Sequence, residues 1–123
     1  MQRVGVDIVE ISRIGDAVQR FGQRFLERVY TPAEIVLCKG RPQSLAVRFA
    51  GKEAVMKALG TGTHGASWRE IEILALPSGE PTVRLCGKAE AVARNLSLAQ
   101  PAISLSHSRE YAVATVVAAT GSA

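Results

Sequence analysis

The apolar positions of the first thirty residues predict a strand followed by a helix. Residues 3–11 run apolar or alternate with polar positions, which is typical of a β-strand. Ser12 is suited to cap a helix that follows, and Gly22 breaks the helical pattern. The apolar face of this helix would consist of Ile14, Val18 and Phe21. A short apolar stripe then follows at Phe25, Leu26 and Val29.

The next two segments carry stronger helix signals. Residues 31–34 (TPAE) combine a capping hydroxyl, a proline at the first helical position and a glutamate able to complete a capping box, so a helix begins here and ends by Gly40. Residues 43–59 are rich in Ala, Leu, Met, Lys and Glu. They predict a long helix that the Gly-Thr-Gly turn at 60–62 ends.

The second half of the chain consists mainly of strands. The predicted elements are a strand at 68–76, a turn at 77–80, a strand at 81–86, a helix at 88–98, and strands at 102–106 and 111–118. Residues 118–123 are expected to form a frayed end. This order predicts a single α+β domain spanning 1–123, with helices packed on a mostly antiparallel sheet.

Length and composition restrict the class of protein. The chain has 123 residues, of which 47% are hydrophobic and 21% charged, as in an ordinary folded domain rather than a disordered one. No apolar run approaches the roughly 20 residues of a membrane span. Asp7 and Glu10 interrupt the apolar start that a secretory signal needs. A cytoplasmic location is therefore expected, with Cys38 and Cys86 as reduced, half-buried thiols.

The net charge of +4 lies entirely in the first half of the chain. Residues 1–57 hold ten basic and six acidic side chains, whereas residues 58–123 hold five of each. A basic half fits an anionic partner such as nucleic acid, nucleotide phosphates or an acidic protein, but it also fits a solvated helix face. The six aromatic residues form no cluster among the arginines, which counts against nucleic-acid binding.

Two acidic positions are candidates for chemistry. Asp7 interrupts an apolar strand, where a carboxylate is costly to bury unless it is paired, hydrogen-bonded or bound to a metal, so structural and ligand roles both stay open. Glu53 and Lys57 lie one helical turn apart, which alone favours a surface ion pair. They continue an inward-facing stripe, however. The stripe consists of Ala46, Phe49 and Ala50.

Basic and glycine residues around these positions suggest phosphate binding. Arg48 and Lys52 lie on an adjacent face of the same helix, and Gly60 and Gly62 follow it. Glycine backbone beside basic side chains can cradle phosphates, although this spacing matches neither the P-loop nor the dinucleotide fingerprint. His107 lies between two serines at the tip of a predicted hairpin, where a histidine is either simply exposed or part of a site.

Taken together, these segments resemble the holo-acyl-carrier-protein synthase family, the small trimeric class of 4′-phosphopantetheinyl transferases. The matching blocks are GVDIVEISRI (5–14), RFLERVYTPAEI (24–35), RFAGKEAVMKALGTG (48–62), WREIEIL (68–74), GEPTVRLCG (79–87) and SLSHSREYAVATVV (104–117). The resemblance implies the 4′-phosphopantetheinyl transferase fold. It also implies transfer of phosphopantetheine from coenzyme A to a serine of acyl carrier protein, with release of adenosine 3′,5′-bisphosphate.

The resemblance also implies the roles of individual residues. It assigns Mg²⁺ to Asp7 and Glu53, which agrees with the preference of that ion for a few carboxylates plus phosphate oxygens and water. Catalysis is assigned to Glu53 and Lys57, the latter also contacting the phosphates of coenzyme A. Further coenzyme A contacts are implied for Arg48, Gly60, Gly62 and His107.

Two implications concern other chains. The family assembles as a homotrimer with sites between subunits, so His107 is expected to serve the site of a neighbouring subunit. A basic docking surface for the acidic carrier protein is implied, consisting of Arg13, Arg20, Arg24 and Arg28. The main rival is a non-catalytic binding module for an acidic protein or nucleotide, which would have no need of the Asp7 and Glu53 carboxylates. A nucleic-acid-binding protein is disfavoured.

Overall fold

The computed structural model describes residues 1–62 and 67–121, which form five helices, a short 3₁₀ turn and five strands. The elements are β1 (Gln2–Glu10), α1 (Ile11–Phe21), α2 (Gln23–Val29), α3 (Pro32–Cys38), α4 (Pro42–Leu59), the 3₁₀ turn (Trp68–Glu70), β2 (Ile71–Ala75), β3 (Pro81–Leu85), α5 (Gly87–Asn95), β4 (Ala102–His107) and β5 (Tyr111–Ala119). The predicted α+β class is confirmed. No helix among the described residues is long and apolar enough to cross a bilayer.

Helix α4 is the centre of the structure. It extends for 18 residues, begins at a proline and ends at Gly60, whose φ of 76° is the left-handed conformation that glycine adopts without strain. The small side chains Ala46, Ala50 and Ala54 are fully buried, so strands β1 and β5 pack directly on the helix. The capping box predicted at residues 31–34 is also present, at the start of α3.

The strands form two antiparallel sheets rather than one. The larger sheet has the order β1-β5-β4, and β2 and β3 form a separate hairpin. Every second residue of β5 is buried against α4, beginning with Ala112. The opposite face of the larger sheet is open and apolar on β1, where Val4, Val6 and Ile8 are 59%, 53% and 63% exposed.

Gly5 allows β1 to lie against α4. A Cβ atom at this position would overlap the Ala54 carbonyl oxygen and would lie 2.8 Å from the Ala54 carbonyl carbon and 3.0 Å from the Ala58 nitrogen. All three atoms belong to the helix backbone, which cannot move aside as a side chain can. The absence of a side chain at Gly5 therefore sets the distance between the strand and the helix, and with it the position of Asp7 two residues later on the same face.

Glu70 anchors the chain after the 3₁₀ turn. Its Oε1 accepts hydrogen bonds from the backbone amides of Ser67 and Ala89, each at 3.2 Å, which ties this turn to the first turn of α5. Burial acts to raise the pKa of Glu70, but hydrogen bonds from the Ser67, Lys88 and Ala89 amides outweigh it, and the pKa is lowered. Gly87 leaves room for this carboxylate, since a Cβ there would collide with it.

Two predictions about the first helix are wrong. Ser12 is not its cap, because the helix begins at Ile11, whose amide donates to the Glu110 carbonyl oxygen at 2.8 Å, so the chain passes from sheet into helix without a loop. Phe21 does not continue the buried face of Ile14, since it is 55% exposed at the end of α1.

Backbone hydrogen bonds extend further along residues 118–121 than predicted. The frayed end predicted for residues 118–123 is wrong for residues 118–121, because β5 continues to Ala119 and the Gly121 amide donates to the Ser97 carbonyl oxygen at 2.6 Å. Residues 122 and 123 lie outside the described part of the chain. Both cysteines are free as predicted, but Cys38 is buried and Cys86 exposed, instead of both being half-buried.

Candidate active site

Asp7 and Lys57 meet where β1 crosses α4. The Lys57 ammonium nitrogen lies 3.1 Å from Asp7 Oδ1 and donates a second hydrogen bond to the Val6 carbonyl oxygen at 2.9 Å. The Asp7 side chain is mostly buried, whereas the Lys57 side chain is about half exposed. The ammonium therefore joins strand to helix and keeps one N–H available to a molecule in solvent.

Glu53 lies one turn before Lys57 and completes the cluster. Burial raises the pKa of Glu53, and the neighbouring Asp7 carboxylate raises it further, while the positive charges of Lys57 and Arg13 act in the opposite direction. Each of these three groups is close enough to influence the Glu53 carboxyl. We call this group of two carboxylates, one ammonium and one guanidinium the Asp7–Glu53 cluster. Its members are Asp7, Glu53, Lys57 and Arg13.

The donor set of the Asp7–Glu53 cluster fits Mg²⁺. Burial raises the pKa of Glu53 most and repulsion from the Asp7 carboxylate raises it further, and a divalent cation between the two carboxylates would relieve that repulsion. Mg²⁺ commonly uses one or two carboxylates and completes its shell with water and substrate phosphate oxygens. Within the described residues no group of three or more His, Cys, Asp or Glu side chains could hold a metal by itself.

Arg48 and the glycine turn lie at different places on α4. Arg48 is buried, and its guanidinium donates to the carbonyl oxygens of Ile73 at 3.0 Å and Ser44 at 3.3 Å. Gly60 and Gly62 both have positive φ at the end of the helix. The structure therefore brings Arg48 to strand β2 rather than to the Asp7–Glu53 cluster, and its predicted contact with coenzyme A stays a prediction.

His107 lies apart from Asp7 within this chain. It is exposed at the end of β4, opposite Ala112 of β5, and Ala112 is in turn opposite Val9 of β1. Strand β5 thus separates His107 from β1 by two strand spacings, about 10 Å. Its Nδ1 lies 3.2 Å from the Ser108 carbonyl oxygen, a local contact within the turn.

The four predicted docking arginines are exposed on α1 and α2. Two grooves lie beside them. One, of about 340 Å³, is lined by Phe21, Arg24, Phe25 and Arg28. The other, of about 400 Å³, is lined by Glu10, Ser12, Arg13, Asp16, Ala17, Arg20 and Phe21. Phe21 borders both grooves, and the Arg20 guanidinium lies 5.8 Å from its ring centre. Sequence reasoning assigned Phe21 to the core and missed it as part of this surface.

Sequence reasoning also missed the role of Glu34 beyond its cap. Glu34 and Lys52 form an ion pair of 2.7 Å in which neither side chain is exposed to solvent. The capping-box pattern identified Glu34, and the spacing of basic residues identified Lys52, but nothing local indicated that the two residues meet 18 positions apart.

Comparison with known proteins identifies the family. The family model described as "4′-phosphopantetheinyl transferase superfamily" matches residues 3–116. The chain belongs to this superfamily. Curated relatives of this transferase include the holo-[acyl-carrier-protein] synthases of Dehalococcoides mccartyi (strain ATCC BAA-2266) and Koribacter versatilis. The first is 55% identical over 96% of this chain and 98% of its own, and the second 48% identical over 92% and 94%.

Solved structures give the same family for this transferase. The Helicobacter pylori holo-[acyl-carrier-protein] synthase, crystallised in complex with coenzyme A, superposes with a TM-score of 0.87 at 38% identity, covering 94% of this chain and 99% of its own. The Neisseria meningitidis enzyme also reaches 0.87, at 35% identity over 96% and 98%. The resemblance inferred from the six sequence blocks is confirmed.

Proposed function

We propose that this transferase moves 4′-phosphopantetheine from coenzyme A to a serine of apo-acyl carrier protein, releasing adenosine 3′,5′-bisphosphate, at a site built on the Asp7–Glu53 cluster. The main support for this reaction is that nearly the whole chain matches proteins named holo-[acyl-carrier-protein] synthase, one of which was crystallised with coenzyme A. The observation that supports the site is the pairing of Asp7 with Lys57 beside Glu53.

The cluster contains the groups that such a transfer needs. Asp7 and Glu53 would hold Mg²⁺, which when bound would neutralise negative charge on the pyrophosphate. As the serine oxygen forms a bond to the β-phosphorus and the bond to the adenosine bisphosphate breaks, the Lys57 ammonium stabilises the charge that develops on the leaving phosphate. The serine proton passes either to Glu53 through a water molecule or to another group at the site.

A neighbouring subunit completes the proposed coenzyme A site. Arg48, Gly60 and Gly62 contribute from this chain, while His107, two strands away from Asp7, contributes to the site of the next subunit. The open apolar face of β1 supports a subunit interface, since an exposed patch of this kind usually marks one, and the family resemblance implies that three subunits assemble. The whole chain, 1–123, acts as one domain in this assembly.

The carrier protein docks on α1 and α2. The exposed side chains of Arg13, Arg20, Arg24 and Arg28 attract its acidic surface. Arg13 also lies near enough to lower the pKa of Glu53, so this basic surface adjoins the reaction site and a docked serine has a short path to it. The carrier proteins concerned belong to fatty acid or polyketide synthesis, and the free thiols Cys38 and Cys86 fit a cytoplasmic location.

Release of the nucleotide product tests this function. The transferase is incubated with coenzyme A, an apo-acyl carrier protein and Mg²⁺, and adenosine 3′,5′-bisphosphate is measured by chromatography. We expect product only when all components are present, and none in EDTA. Binding of coenzyme A and carrier protein without product, across several carrier proteins, would instead support the non-catalytic binding module.

A further inference from the structure

Among the described residues, no strand pairs with one edge of β2, and charged side chains bind that edge. Its other edge pairs with β3. On the free edge, Lys52 donates to the Ile71 carbonyl oxygen, Arg48 donates to the Ile73 carbonyl oxygen, and Glu34 accepts from the Ile73 amide at 2.8 Å. Side chains of α3 and α4 thus take the place of a neighbouring strand.

The Glu34–Lys52 ion pair is the centre of this arrangement. Glu34 Oε1 accepts from the Lys52 ammonium at 2.7 Å and from the Thr31 amide at 2.9 Å, and both charged side chains are 0% exposed. A fully buried ion pair adds little stability over apolar side chains of the same shape, because desolvation offsets the attraction. The role of the Glu34–Lys52 pair is therefore better inferred from the groups that its hydrogen bonds hold in place than from its contribution to stability.

Lys52 also holds the 3₁₀ turn (Trp68–Glu70). Its ammonium donates to the Trp68 carbonyl oxygen at 2.9 Å, and the Trp68 ring stacks on Phe49 of α4 with ring centres 4.8 Å apart. Trp68 is therefore fixed against α4 by both its backbone and its ring. Together with its bond to Ile71, the Lys52 ammonium binds both ends of the 3₁₀ turn.

Lys52 further fixes the rotation of α4. Successive residues of an α-helix point about 100° apart. Lys52 is held towards β2 by three hydrogen bonds, and Glu53, the next residue, then faces β1 and Asp7. The direction of Lys52 therefore sets the direction of Glu53 on the adjacent face of the helix.

We propose that Lys52, through its buried ion pair with Glu34, is a positioning residue for the coenzyme A site. It holds the 3₁₀ turn (Trp68–Glu70) against α4 and orients α4 so that Glu53 faces Asp7. This inference rests on the proposed function. Lys52 itself touches no substrate in this role, because its ammonium hydrogens are all engaged by Glu34, Trp68 and Ile71.

The test compares three variants of the full chain. Lys52→Met removes the cation, and Glu34→Gln keeps the shape but weakens the pair. Arg94→Met removes a cation that is 75% exposed on α5 and serves as the matched control. For each variant, coenzyme A affinity is measured by calorimetry without carrier protein. Steady-state kinetics give KM for each substrate, and hydrogen exchange of the backbone amides reports on residues 67–71.

We expect Glu34→Gln to fold and to bind coenzyme A at least fivefold more weakly, with faster exchange at 67–71 and KM for carrier protein changed less than twofold. Lys52→Met is expected to show a larger loss of the same kind, and Arg94→Met none. A merely structural role would instead lower the folded fraction without changing the affinity of the folded molecules for coenzyme A. These measurements therefore distinguish a positioning role from a structural one.

Each of the following results would overturn the positioning role of Lys52. A folded Glu34→Gln or Lys52→Met variant with wild-type affinity for coenzyme A overturns it. If neither variant folds at any temperature, the pair is a stability element and the positioning role is rejected. Absence of coenzyme A binding by the wild-type chain is a distinct result, because it overturns the proposed function and the inference falls with it.

Discussion

Substitution of Gly5 by alanine tests whether close packing of β1 on α4 creates the site. The new Cβ would overlap the Ala54 carbonyl oxygen and lie 2.8 Å and 3.0 Å from two further backbone atoms of α4. Carbon atoms pack best at roughly 3.5–4.0 Å, so the strand has to move away from the helix by about 1 Å or more. Asp7 moves with it, and its 3.1 Å contact with Lys57 breaks.

The expected effects on stability and activity follow from this displacement. Overpacking of this kind costs about 1–3 kcal/mol, and we expect the upper end because the atoms opposing Gly5 are backbone. A displacement of about 1 Å at a reacting group lowers turnover by roughly 100-fold. Gly5→Ala should therefore lose about 3 kcal/mol of unfolding free energy, and kcat should fall about 100-fold in the molecules that remain folded.

Urea unfolding and initial rates of transfer measure the two effects. Gly15→Ala is the matched control, since no atom lies within 4 Å of a Cβ at that position in α1. It should raise the unfolding free energy by about 0.5–1 kcal/mol through helix propensity and leave kcat unchanged. Wild-type kcat in folded Gly5→Ala would refute the reasoning, because the site would then tolerate displacement of β1.

Four further predictions address individual parts of the account. Glu53→Gln should keep the fold and abolish Mg²⁺-dependent turnover, and near-wild-type activity at matched stability would exclude Glu53 as a metal ligand. Arg13→Ala should raise KM for carrier protein more than KM for coenzyme A, whereas equal effects in steady-state kinetics would count against docking. Glu70→Gln should lower the unfolding free energy at pH 7 by at most about 1 kcal/mol, because an amide oxygen accepts the Ser67 and Ala89 hydrogen bonds more weakly than a carboxylate and solvent screens this partly exposed group. Because folding lowers the pKa of Glu70, its carboxylate stabilises the fold above about pH 4.5, and this stabilisation is lost as the pH falls through the lowered pKa. The unfolding free energies of variant and wild type, measured in urea, should therefore converge in acid. A difference that does not change with pH would exclude the Glu70 charge as its source. Val6→Lys should dissociate the proposed trimer to monomers in light scattering, whereas Val36→Lys, at a valine 74% exposed on α3, should not. A Val6→Lys variant that stays oligomeric would exclude this sheet face as the interface.

Local signals predicted the elements of the fold well. The capping box at residues 31–34 depends on contacts three residues apart, and the end of α4 depends on the conformational freedom of Gly60, so both can be inferred from a few neighbouring residues. Ser12 failed as a cap for a nonlocal reason. The amide of Ile11 pairs with Glu110 across the sheet, 99 positions along the chain, and the helix starts from there.

The arrangement of the site residues depends on long-range packing more than the helices and strands do, so less of it could be predicted from the sequence. Glu53 and Lys57 follow from helical spacing, but Asp7 reaches them from 50 residues away, and only the close approach of β1 at Gly5 brings it there. Likewise, the charge of Lys52 was evident while its burial was not, because its partners come from α3 and β2. The basic face of α1 and α2 was predicted from charge alone, since long exposed arginines need no tertiary partner.

The central claim is the transfer of phosphopantetheine to a carrier protein, and intact mass spectrometry of that protein tests it most directly. An apo-acyl carrier protein is incubated with the chain, coenzyme A and Mg²⁺, with EDTA in a parallel sample. We predict that the carrier protein gains the mass of one phosphopantetheine group, and that EDTA prevents the gain. An unchanged mass for several carrier proteins, with a folded chain that still binds coenzyme A, would contradict the account.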